Sequence, residues 1–130
     1  MYDSYMIVGE EFKNVVQNGE SIGFQLGIRL CYYRGIVLSL IGDISLSVDG
    51  EEIPHDAMTI TVGSKTFAFA DLENQPVVKW EFGEVGILTV KQPGGLKPGE
   101  HTLHLREHLK ISYVPMGFSG ADTKVLQLAA

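Results

Sequence analysis

Four histidines, His55, His101, His104 and His108, are the side chains that could hold a metal ion. Three of them crowd one segment near the C-terminus. On a helix, His104 and His108 would stand one turn apart on one face. On a strand they would share a face but stand about 13 Å apart, at roughly 3.3 Å of rise per residue. Two ligands that each sit about 2.1 Å from one zinc cannot span that distance. On a strand, His101 and His104 also point to opposite faces. A cupin-type set needs a His-x-His pair, and His101-Thr102-Leu103-His104 is off by one. Adjacent carboxylates occur at Glu10-Glu11 and Glu51-Glu52. Neighbours on a strand point apart, so neither pair can flank one bond as a glycosidase dyad does. Glu81 and Glu84 could approach each other across Gly83. Cys31 has no Cys-x-x-Cys partner and no neighbouring His, which predicts a buried structural thiol. Gly94-Gly95 lacks the lysine and helix start of a phosphate loop, and there is no Gly-x-Ser-x-Gly elbow.

The elements decide between these chemistries, and nearly every segment has period two. Ile22, Phe24, Leu26, Ile28 and Leu30 share one face of a strand, and Ser21, Gly23, Gln25, Gly27 and Arg29 the other. Ile44, Leu46 and Val48 alternate with Asp43, Ser45, Ser47 and Asp49; Met58, Ile60 and Val62 alternate with Thr59 and Thr61. Val78, Trp80 and Phe82 alternate with Lys79 and Glu81. These are half-buried strands, with one face on a core and one in water. From His101 to Tyr113 one long strand is predicted, with Leu103, Leu105, Leu109 and Ile111 inward. Glu107 violates that face. It sits either at a bulge or beside a buried arginine, Arg29 or Arg34, because a lone buried carboxylate is expensive.

Turn signals separate the strands. Val48-Asp49-Gly50-Glu51 predicts a hairpin with positive φ at both central residues. Gly63-Ser64 divides two further strands, and the run from Pro93 to Glu100 is a glycine-rich connection. No segment predicts an amphipathic helix. The pattern is that of an all-β chain, an antiparallel β-sandwich of jelly-roll or Ig-like type, in one domain over residues 1–118. Residues 119–130 are predicted to be an irregular tail, which either docks through Val125, Leu126 and Leu128 or frays.

Composition narrows the partners. A chain of 130 residues fits one core. Its net charge of -6, with ten scattered Lys and Arg, disfavours nucleic acid and anionic membrane surfaces. A single cysteine excludes an internal disulfide. No secretion signal or membrane-length apolar run is visible, which predicts a cytoplasmic protein.

The alternation from Ser21 fails at Tyr32-Tyr33-Arg34-Gly35. Two tyrosines and an arginine are unusual at a turn but enriched where a surface meets a partner or a sugar. Trp80, Phe82, Tyr32, Tyr33, Tyr113 and Phe118 could together form a sugar-stacking platform. The alternative for Trp80, in phase with Val78, is the core.

Several stretches, in order, resemble the small (β) subunit of bacterial C-glycoside deglycosidases. They are Tyr32-Tyr33-Arg34-Gly35 with Leu38-Ser39, Val48-Asp49-Gly50-Glu51, Trp80-Glu81-Phe82-Gly83, Gly94-Gly95-Leu96-Lys97-Pro98-Gly99-Glu100-His101 and Ile111-Ser112-Tyr113-Val114-Pro115. Met6-Ile7-Val8 and Phe12-Lys13-Asn14-Val15-Val16 fit the same pattern, so the resemblance runs to about Phe118. It implies a β-sandwich that pairs with a larger α subunit built like a sugar-isomerase TIM barrel. That α subunit would carry a divalent metal, manganese, and the acid-base residues. The complex would be a lyase that cleaves the C–C bond between a 3-oxo-glucosyl unit and a flavonoid or other aromatic aglycone, after a separate oxidoreductase has made the keto sugar. The resemblance transfers no catalytic, cofactor-binding or metal residue onto this chain.

Under that reading the broken strand is a docking corner. The predicted partner interface is Tyr32, Tyr33, Arg34, His104, Arg106, His108, Met116 and Phe118. Two alternatives remain: a stand-alone carbohydrate-binding module using the aromatic residues, and an autonomous metal enzyme using His104 and His108.

Overall fold

The computed structural model describes residues 5–32, 34–75, 77–111 and 117–128. The strands are β1 (Ile7–Gln17), β2 (Glu20–Ile28), β3 (Ile36–Val37), β4 (Ile41–Val48), β5 (Glu51–Glu52) and β6 (Met58–Val62). They continue with β7 (Lys65–Ala68), β8 (Lys79–Trp80), β9 (Gly86–Lys91), β10 (Gly99–Leu109) and β11 (Phe118–Leu128). One sheet has the order β1-β2-β9-β6-β7 and the other β11-β10-β4-β5; β3 and β8 form a small ribbon. All pairings are antiparallel. Three short 3-10 helices, Leu38–Leu40, His55–Ala57 and Phe69–Asn74, lie in the connections. No helix among the described residues is long and apolar enough to cross a membrane.

The period-two pattern maps onto this architecture. Phe24, Leu26, Ile28, Ile60 and Leu88 of one sheet and Ile44, Leu46, Leu103, Leu105 and Leu109 of the other are buried in one core. The predicted Asp49-Gly50 hairpin has φ of 52° and 88° at those residues. A second turn of the same sign, Asn18-Gly19, joins β1 to β2 with φ of 53° and 79°.

Three expectations are corrected. The C-terminal tail is a strand. β11 pairs with β10 along its whole length, from Phe118↔Leu109 to Leu128↔Gly99. Its inward side chains also hold β1. Asp122 Oδ2 accepts the Ile7 N–H at 2.9 Å, and Lys124 Nζ donates to the Ile7 carbonyl at 2.7 Å. Ile7 lies on an edge strand of its sheet, and edge backbone groups need such partners.

The long strand also ends sooner than predicted, at Leu109. Its irregularity is not at Glu107. Opposite β4, His108 pairs with Asp43 and Leu109 with Ile41, so the extra residue is Gly42. A Cβ there would meet the His108 ring at 2.9 Å, which glycine avoids. The third correction concerns Val78 to Phe82. Only Lys79–Trp80 is strand. The Glu84 N–H donates to the Glu81 carbonyl at 3.1 Å, and Gly83 takes φ 81°. That turn swings Phe82 outward.

Candidate functional site

The outer face of the four-stranded sheet gathers three of the predicted interface residues. His104, Arg106 and His108 alternate along β10 and stand opposite Thr123, Ala121 and Ser119 of β11. Across β4 they face Ser47, Ser45 and Asp43. His104 Nδ1 is 2.6 Å from the Thr123 hydroxyl, and His108 Nδ1 is 2.7 Å from the Ser119 hydroxyl. Arg106 donates to Glu52 at 3.0 Å. At the end of the face, Asp43 takes the Ser45 hydroxyl on one oxygen and His55 Nε2 on the other, both at 2.7 Å.

These pairings bear on a metal reading. Each histidine is engaged separately. His101 is held by the Lys97 carbonyl and Asp49, each at 2.6 Å. The Lys97 carbonyl first, and then Asp49, raise its pKa against the opposing cost of partial burial. Asp49 is lowered by the Thr102 N–H and by His101. Among the described residues, no three His, Cys, Asp or Glu side chains converge as a metal-holding set. The helix that would bring His104 and His108 together is absent, because both lie on β10.

Behind the polar face sits Glu107, on the inner side and 2% exposed. Its Oε1 accepts the Cys31 N–H at 2.7 Å. Its Oε2 has no hydrogen-bond partner among the described residues. Burial pushes its pKa up to about 8, opposed by the N–H and thiol of Cys31 and assisted by the nearby charge of Asp122. Glu107 is therefore mostly protonated near neutral pH. Arg29 is not its partner: it lies 4.7 Å over the Tyr5 ring and donates to the Tyr5 carbonyl at 3.3 Å. What Glu107 does is tie β10 to the corner, through backbone at the predicted buried thiol.

At that corner, Tyr32 is buried, its ring 5.2 Å from Phe118. Arg34 is exposed and Phe118 half-buried. Tyr33, Met116 and Tyr113 lie outside the described residues. Among the described residues, the surface this corner offers rests with Arg34 and the rim of Phe118 rather than with the Tyr32 ring. The aromatic platform is divided. Trp80 is fully buried, its Nε1 donating to the Glu84 carbonyl at 2.8 Å. Phe82 faces out and stacks on Tyr5 at 6.2 Å. Glu81 and Glu84 do meet across Gly83, but as a turn: the Glu84 carboxylate accepts the Glu81 N–H at 3.0 Å.

Residues that sequence reasoning passed over include Tyr5, Asp122 and Lys124. The two β11 residues carried a faint signal, since both alternate with Thr123 in a segment read as tail.

The sequence model that describes C-glycoside deglycosidase beta subunits matches residues 2–113. The chain belongs to that family. A C-glycoside deglycosidase beta subunit from Eubacterium cellulosolvens is 36% identical over 105 residues, covering 80% of this chain and 71% of the relative. One from Arthrobacter globiformis is 26% identical over 107 residues, covering 78% and 82%. The matched family region takes in Tyr32, Glu107 and the three outward side chains of β10. The closing strand β11 lies beyond it.

Proposed function

We propose that this chain is the accessory β subunit of a heteromeric C-glycoside deglycosidase. The family match over residues 2–113 carries the reading. In it, a sugar-isomerase-like barrel subunit supplies the divalent metal, manganese, and the acid-base residues. The substrate is a 3-oxo-C-glucoside with an aromatic aglycone. The keto group acidifies the neighbouring C–H; a base removes that proton, a C=C bond forms in the sugar as the C–C bond to the aglycone breaks, and an acid of the barrel returns a proton to the aglycone carbon. This chain binds and completes the assembly in the bacterial cytoplasm.

Its own chemistry supports a binding role. The carboxylates and histidines of the outer face are spent on separate neighbours, and the buried Glu107 holds the corner. The carbohydrate-module alternative needs Trp80 on a surface, and its ring is inside. Co-expression with the barrel subunit tests the proposal: the two chains should co-purify as one species whose mass by light scattering exceeds either alone. Separate elution of two folded proteins at micromolar concentration would contradict it.

A further inference from the structure

A cleft of about 620 Å³ opens between β4 and β6. It shares no lining residue with the corner. Two short 3-10 helices, His55–Ala57 and Phe69–Asn74, frame it. The floor is apolar and buried: Ile44, Met58 and Leu72. One wall is the half-buried Phe69 ring, with the His55 ring 5.7 Å away. The mouth is acidic. Asp43, Asp56 and Glu73 border it, against the single ammonium of Lys110.

That combination of apolar floor and acidic lip selects its occupant. A side chain seated on Met58 and Leu72 gains by leaving water. A cation beside it gains from the field of Asp56 and Glu73, with Asp43 already shared with His55, focused by low-dielectric walls. The cleft does not end at Asp43. A second hollow of about 500 Å³, along Arg106, His108, Ser119 and Ala121, also borders on Asp43. Two hollows that share the Asp43 rim suit a length of polypeptide better than a small molecule. A second copy of this chain is disfavoured, because a molecule of net charge -6 would bring more negative charge to an acidic lip.

We propose that this cleft seats a segment of the partner subunit that carries an apolar side chain next to a Lys or Arg. The inference rests on the heteromer proposed above and adds to it which face docks and what chemistry it recognises.

The test is a binding titration of this chain against the purified barrel subunit at several salt concentrations. Asp56→Lys with Glu73→Lys reverses the lip at two exposed positions. Glu10→Lys with Glu20→Lys makes the same charge change at exposed positions of β1 and β2, outside the cleft. Ala70→Trp, also exposed, fills the cleft without altering charge. The lip variant should weaken Kd by about tenfold or more and flatten its salt dependence, while the control pair changes Kd by less than about twofold. Ala70→Trp should weaken binding at every salt concentration. Equal weakening by lip and control pairs would overturn the assignment. So would binding untouched by the lip variant and Ala70→Trp, or a self-dimer that Ala70→Trp dissolves. If the wild-type chain does not bind the barrel subunit at all, the proposed function itself fails, and the cleft assignment with it.

Discussion

Glu107 shows most clearly how one residue can carry a structural role at a cost. A carboxyl inside a sheet is tolerated when it stays neutral and accepts a backbone N–H, as this one does from Cys31. The cost depends on pH. In the unfolded chain the group ionises near 4.5, in the folded chain near 8. Between those values the unfolded state has released a proton that the folded state keeps, so stability falls as pH rises. The contribution is fully present below the lower value and lost by the time pH has passed the upper one. The slope reaches at most about 1.4 kcal/mol per pH unit. Glu107→Gln keeps an acceptor for Cys31 and cannot ionise. Urea unfolding at pH 5, 6.5 and 8 should therefore show a flatter profile for the variant, with its largest relative gain at pH 8. Parallel profiles for the two proteins would place the pH dependence elsewhere.

Among the elements, β11 is decisive. Removing Asp122 by Asp122→Ala strips the Ile7 N–H of its acceptor, which should cost about 1–3 kcal/mol in denaturant unfolding. Deleting residues 118–130 removes both clamps on β1 and bares the β10 edge. That chain should lose its cooperative transition or aggregate. A truncated chain as stable as the full one would make β11 dispensable. Why this strand was illegible in the sequence is physical. Its inward positions include Gly120, Asp122 and Lys124, the last two gripping β1 backbone, while the apolar Val125 is 57% exposed. Periodicity reads strands that bury oil, such as β2, β4, β6 and β10, and it misses one that buries hydrogen bonds. The same limit applied at the site. That His104, Arg106 and His108 share an outward face follows from spacing alone. That the two histidines meet Thr123 and Ser119 depends on a pairing with β11, which no local pattern announces. The irregularity that Glu107 suggests in the sequence belongs to Gly42, because the extra residue lies on the partner strand.

At the scale of the whole molecule, two sheets share one core with Trp80 fully inside it. Trp80 is the chain's one tryptophan, so its fluorescence reports on that core. Unfolding should shift its emission to the red in a single transition that coincides with loss of the sheet signal in circular dichroism. Trp80→Ala should cost about 3–5 kcal/mol, much of the stability of a domain this size. Two separated transitions would mean the sheets do not unfold as one unit. A sandwich with polar outer faces and an acidic cleft suits a subunit that binds, and we propose that this chain completes a lyase whose chemistry resides elsewhere. The most direct measurement mixes purified chain and purified barrel subunit, supplies manganese and a 3-oxo-C-glucoside, and follows release of the free aglycone. Negligible release is expected from this chain alone, little from the barrel alone, and strong release from the mixture, saturating at a fixed ratio of the two. Full activity of the barrel without this chain, or aglycone release by this chain alone, would contradict it.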